Sequence, residues 1–195
     1  MLAVILLVWA SLAQGQELRQ DQTPTSHTIQ KGSSFRTTYL EYFDSEDPNR
    51  EIAIINLNFE RGRYLTKRFS LIGGVNVLLA DGYKIDHGDP DHRKLNADRV
   101  GVGFAGTVRL DVITWDKHDL FIAGRLGFLV CTGQLPPGGT FWNFNQRYVI
   151  GVSIRLLRSM NLLLGGNRLH ISNGGYKRNP SYNGNGAFVG VMYGF

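Results

Sequence analysis

The sequence predicts an all-β fold, an eight-stranded antiparallel transmembrane β-barrel, and three observations predict it. Several segments alternate strictly between an apolar and a polar face. An apolar leader is followed by no second apolar run long enough for a helical span. The last segment alternates up to Phe195.

The alternation is clearest from Arg99. Val100, Val102, Phe104, Val108, Leu110 and Val112 fall on one face, with Arg99, Gly101, Gly103, Thr107, Arg109 and Asp111 on the other. A period of two means a strand. Its polar face mixes ionised and small residues, as the inside of a membrane barrel does, whereas a soluble sandwich points its apolar face into a dry core. The segment also outlasts the usual soluble strand of about five or six residues and suits the roughly 9–11 of a tilted membrane strand. The pattern repeats in Leu120–Leu129 and Arg147–Leu157, and less cleanly in Ala53–Glu60 and Phe69–Val77. Phe35–Phe43, Met160–Ile171 and Gly186–Phe195 complete the set, the first with aromatics on both faces.

With a periplasmic N-terminus the inner turns are Arg61–Arg68, Trp115–His118 and Arg158–Met160. The outer loops are Asp44–Glu51, Asp81–Asp98, Gly133–Gln146 and Ser172–Asn185. Short inner turns with longer, polar outer loops are the asymmetry of outer-membrane barrels.

Residues 1–15 read as a signal peptide, an apolar run ending at Ala13-Gln14-Gly15 and cleaved before Gln16. Residues 16–32 are a polar lead-in and 33–195 the barrel. The leader is short for a membrane anchor, which needs about 20 apolar residues. Of 195 residues, 24 are Gly and one is Cys, which excludes a disulfide-stapled scaffold and leaves Cys131 as a quiet strand residue. Val189, Val191, Tyr193 and Phe195 resemble the terminal signal read by the barrel assembly machinery, which implies that machinery as a partner.

The penultimate strand ends in His170-Ile171-Ser172-Asn173-Gly174-Gly175, and Asn179-Pro180-Ser181-Tyr182-Asn183 leads towards the last strand. On a strand, His170 and Ser172 project to one side, so the imidazole can take a proton from the hydroxyl. Leu162 and Leu164 share that face, which puts the pair on the lipid-facing wall near the outer rim. The run resembles the signature of the lipid A 3-O-deacylases of the PagL type. That resemblance implies an ester hydrolase of lipopolysaccharide with Ser172 as nucleophile, His170 as base and Asn173 as a donor to the oxyanion. It implies no cofactor.

Where that family carries a Glu to orient the histidine, this sequence carries Asn183, and no acid follows Asp119. An Asn can fix the imidazole tautomer through its carbonyl but gives the imidazolium no full counter-charge. Asp44, Glu46 or Asp47 of the first outer loop is the alternative acid, since the last strand closes against the first. Arg168, Lys177 and Arg178 cluster around the motif and suit lipid A phosphates; the plainer alternative is surface charge with snorkelling side chains. A sequence with 21 basic and 16 acidic residues has no basic stretch interleaved with stacking aromatics, so nucleic acid is not the partner. Asp86-His87-Gly88-Asp89-Pro90-Asp91-His92 is read as a solvated loop rather than a metal site, for it lacks ligand order. The rival function is a non-enzymatic barrel of the OmpA or OmpX shape that binds at the surface or stabilises the membrane.

The barrel reading predicts that the protein fractionates with the outer membrane and migrates differently on gels before and after heating. Recovery as a soluble periplasmic protein would refute it.

Overall fold

A computed structural model describes residues 32–86, 93–176 and 180–194. The expected signal peptide, nearly all of the lead-in, and Phe195 lie outside the described residues. The strands are β1 (Ser34–Ser45), β2 (Arg50–Tyr64), β3 (Phe69–Ile85), β4 (Lys94–Asn96), β5 (Arg99–Trp115), β6 (His118–Cys131), β7 (Trp142–Leu157), β8 (Met160–Ser172) and β9 (Tyr182–Gly194). Each long strand pairs antiparallel with its neighbours, β3 pairs β5, and β1 pairs β9, so eight strands close into a barrel. β4 is a short return strand on β3 outside that ring.

The register fixes the tilt. Following direct Cα partners from Asn183 on β9 through His170, Gln146, Leu126, Gly106, Gly73, Arg61 and Arg36 leads back to β9 at Tyr193, ten positions further on. Such a stagger in eight strands corresponds to a tilt of about 40°.

The strands run longer than the alternation suggested. β2 reaches Tyr64 because Gly62 lies under the ring of Phe35 while Arg63 faces out, so the inner turn shrinks to Leu65–Arg68. The expected loop Asp81–Asp98 is partly a hairpin: β3 continues to Ile85 and β4 returns on it, with Gly82 in the left-handed region at φ 121°. β7 begins at Trp142, inside the expected loop Gly133–Gln146, because Asn143 and Asn145 point into the barrel while Trp142 and Phe144 point outward. β9 likewise starts at Tyr182, inside the expected loop Ser172–Asn185.

The lumen is filled in three layers. At the loop end Phe43, Ile54, Leu129, Leu135, Ile171 and Tyr182 form an apolar layer. At the turn end Phe35, Tyr64, Ile72, Phe121, Phe188 and Met192 form another. These account for the aromatics on both faces of the first strand, for Phe35 and Phe43 each enter one layer.

Between them lie ion pairs. Arg125 Nη1 donates to Glu60 Oε1 at 2.6 Å and to Asn58 Oδ1 at 2.7 Å. Arg147 pairs with Glu41, whose carboxylate also accepts from Asn56 and Asn167 at 2.7 Å and from Asn58 at 2.8 Å. Buried charges persist only when paired and hydrogen-bonded, and here each carboxylate has several donors. Outside, Val75, Val102, Phe104, Leu126, Ile150 and Val189 are exposed. An apolar exterior around a lumen that holds an ion-paired layer is stable in lipid; a closed antiparallel barrel of this kind belongs to the bacterial outer membrane.

Replacing Arg125 with Leu leaves Glu60 buried without its counter-ion and should cost about 3–5 kcal/mol. The urea midpoint of the folded gel band would fall, and the double variant Arg125→Leu/Glu60→Leu should recover much of the loss.

Candidate active site

In β8 the odd positions Leu163, Asn167, Leu169 and Ile171 are buried in the lumen. The even positions Leu164, Arg168, His170 and Ser172 therefore share the outer wall. His170 stands directly opposite Asn183 of β9, and its Nδ1 is 2.7 Å from the Asn183 side-chain oxygen. An amide oxygen only accepts, so the imidazole donates from Nδ1 and keeps the Nε2 lone pair open. That is the tautomer a general base requires.

Ser172, the last residue of β8, is buried and lies opposite the outward ring of Phe144. Two positions along a strand separate it from His170, about 6.6 Å. Among the described residues no hydrogen bond joins the hydroxyl to the imidazole, a looseness common in sites without substrate.

Asn173 is buried, and its Nδ2 donates to the carbonyl of Tyr176 at 2.9 Å. This closes a turn through Gly174 (φ 68°) and Gly175 (φ 83°), conformations that glycine adopts without strain. The side-chain amide of Asn173, one of the two donors it offers an oxyanion, thus braces the turn.

The first outer loop packs beside the pair. Glu46 N donates to the Asn183 carbonyl at 3.0 Å, and its carboxylate accepts from Arg168 Nη2 at 2.7 Å. Asp47 instead pairs with Arg50, and Asp44 accepts from the Ser45 amide. Of the three alternative acids, Glu46 therefore lies alongside the site, held by Arg168 rather than by His170. Arg50 donates to the carbonyls of Pro180 and Ser181 and fastens the segment that delivers Asn183. Neither Arg50 nor the Glu46–Arg168 pair was readable in advance, because each joins segments more than a hundred residues apart.

An aromatic group beside Ser172 was missed for a different reason. Phe128, Trp142, Phe144 and Tyr176 pack with ring centroids 5.8 to 6.3 Å apart. Trp142 and Phe144 share a face with Gln146 and Tyr148, a signal masked by the intervening Asn143 and Asn145. Lys177 and Arg178 lie outside the described residues, as do 87–92 of the His- and Asp-rich loop. Among the described residues no group of three metal-capable side chains occurs.

The register sets the height of the wall below the site. Ten residues separate Asn183 from Tyr193 along β9, and at about 3.3 Å each and a tilt of about 40° they span roughly 25 Å, the height of the apolar band of such barrels. His170 and Asn183 thus sit near the loop end of a wall of about that height.

No protein-family model and no curated protein matches the chain. Among solved structures it is similar to the outer membrane enzyme PagL, with 16% identity, a TM-score of 0.57, and 79% of this chain and 97% of that one covered. Neisserial surface protein A aligns at 14% identity and a TM-score of 0.54 over 84% of this chain and 96% of its own. The N-terminal β-barrel domain of Pseudomonas aeruginosa OprF gives 10% identity and a TM-score of 0.54 over 86% of this chain and 100% of that domain. What they share with this chain is the small outer-membrane barrel fold.

The His170–Asn183 bond predicts a single neutral imidazole tautomer. Nitrogen NMR of histidine-labelled protein should show Nδ1 protonated and Nε2 bare, and Asn183→Ala should give a mixture. An unchanged spectrum would show that Asn183 does not hold the ring.

Proposed function

We propose that the chain is a lipid A deacylase of the outer membrane that hydrolyses an ester-linked acyl chain of lipopolysaccharide. The observation that carries this reading is the His170–Asn183 hydrogen bond on the same lipid-facing wall as Ser172. Ser172 Oγ attacks the ester carbonyl while His170 Nε2 takes its proton. Backbone N–H groups around Asn173 and Gly174 steady the oxyanion. The sugar alcohol then leaves with the proton from His170, and water releases the fatty acid from the acyl-serine by the same steps in reverse roles. Arg168, with Lys177 and Arg178, takes the lipid A phosphates. No cofactor takes part.

An ester between sugar and acyl chain lies at the border of the apolar band, the height at which the wall presents His170. The filled lumen argues against a pore. The second reading, a non-enzymatic barrel of the OmpA or OmpX shape, is favoured by Asn183 itself, which lacks the charge that stabilises an imidazolium. Loss of the triad acid costs about 10⁴-fold in turnover in a serine protease.

The test is mass spectrometry of purified lipid A after incubation in detergent with wild type, Ser172→Ala, Asn183→Glu and the double variant. Wild type should release a fatty acid slowly, Ser172→Ala none, and Asn183→Glu at least tenfold faster, a gain that the double variant loses. Folded wild type and Asn183→Glu that both leave lipid A intact would decide for the non-enzymatic barrel.

A further inference from the structure

Gln146 interrupts an apolar stretch of the outer wall. It shares one face of β7 with Phe144, Tyr148 and Ile150, all exposed, and is itself half-buried. Among the described residues its side chain makes no hydrogen bond. An amide left unpaired in apolar surroundings is unfavourable, so its presence there calls for a partner.

Its position is specific. Gln146 is the direct Cα partner of His170, on the side of β8 away from Asn183. Phe144, two residues earlier, is the direct partner of Ser172, so Gln146 stands diagonal to the Ser172 hydroxyl. Direct partners have Cβ atoms about 4.5–5.5 Å apart and diagonal neighbours about 7–8 Å, a gap that a long side chain crosses.

The imidazole opens towards the same side. Its Nδ1 is turned to β9 by the bond to Asn183. The two ring nitrogens point in widely divergent directions, so Nε2 faces away from β9 and towards β7. An ester attacked by Ser172 while Nε2 takes the proton therefore lies between β8 and β7, bordered by Phe144 and Gln146. Of these two side chains only Gln146 carries a donor. On the far side of Ser172 the Asn173 side-chain amide is engaged with the Tyr176 carbonyl at 2.9 Å, which leaves that turn to supply main-chain donors.

We infer, on the footing of the deacylase reading, that Gln146 is a further catalytic residue whose side-chain N–H donates to the oxyanion formed when Ser172 attacks the ester. In that step the Ser172 Oγ–carbon bond forms, the carbonyl π pair moves onto oxygen, and the hydroxyl proton passes to His170 Nε2. Gln146 transfers no proton. When the carbonyl re-forms and the bond to the sugar oxygen breaks, the charge leaves the oxygen and the hydrogen bond weakens. The contact is thus strongest where charge develops, and it belongs to the transition state rather than to substrate binding.

Gln146→Met keeps the length of the side chain and removes the donor. Fatty-acid release from lipid A in detergent is measured for wild type and Gln146→Met, and again for Asn183→Glu and Asn183→Glu/Gln146→Met, where turnover should be faster. In each pair kcat should fall about 10²–10³-fold, with KM unchanged. Tyr148→Leu, a neighbour on the same wall, should keep the wild-type kcat. Nitrogen NMR of Gln146→Met should show the wild-type His170 tautomer, because Asn183 holds the ring, and heat-modifiable migration confirms that each variant is folded. An unchanged kcat in both pairs would overturn the inference and leave the deacylase reading standing. So would a rise in KM at constant kcat, which makes Gln146 a binding contact, a changed tautomer, which makes it a support of the ring, or an equal loss in Tyr148→Leu, which makes the effect one of wall shape. No release by folded wild type and Asn183→Glu would overturn the deacylase reading and the role of Gln146 with it.

Discussion

Everything in this structure depends on the closure of β1 against β9. Inside a bilayer no water is available to satisfy an open sheet edge, so each unpaired N–H and C=O would cost several kcal/mol. The continuous pairing from Phe35–Gly194 to Ser45–Gly184 removes that edge. It also brings the first outer loop against the last strand, which is why Glu46 reaches both the Asn183 main chain and Arg168. The membrane constraint and the assembly of the candidate site are one event.

Closure also creates an enclosed lumen that must be filled. Two apolar layers do this by ordinary packing, and the layer between them does it with ion pairs whose members come from opposite sides of the barrel. Glu60 on β2 meets Arg125 on β6, and Glu41 on β1 meets Arg147 on β7. Such pairs add little net stability compared with well-packed apolar residues, but a misassembled pairing leaves a charge without its partner. They act as cross-braces between strands that never touch along the sheet.

The wall-facing halves of most strands were legible in the sequence because lipid imposes an apolar residue at every second position. The lumen imposes no such uniformity. Ile52 and Ile54 enter the loop-end layer while Asn56 and Asn58, on the same face of β2, enter the ion-paired layer. Where the lumen residue was Asn, as at Asn143 and Asn145, the strand read as a loop. At the candidate site, His170, Ser172 and Asn183 were identifiable from spacing and family likeness, and the cross-strand position of Asn183 follows from antiparallel pairing. The supports from Arg50 and Glu46 were not, because nothing local in the sequence records which loops closure brings together.

The ten-residue stagger has a consequence for depth. Side chains alternate with period two, so pairing can slip only by even steps without turning the ion-paired residues into lipid. Each permitted slip would move one strand by two residues, about 5 Å in height at this rise and tilt. The level at which the wall presents His170 is therefore quantised. Substitution can change the chemistry at that level, but only a re-registered barrel can change the level itself.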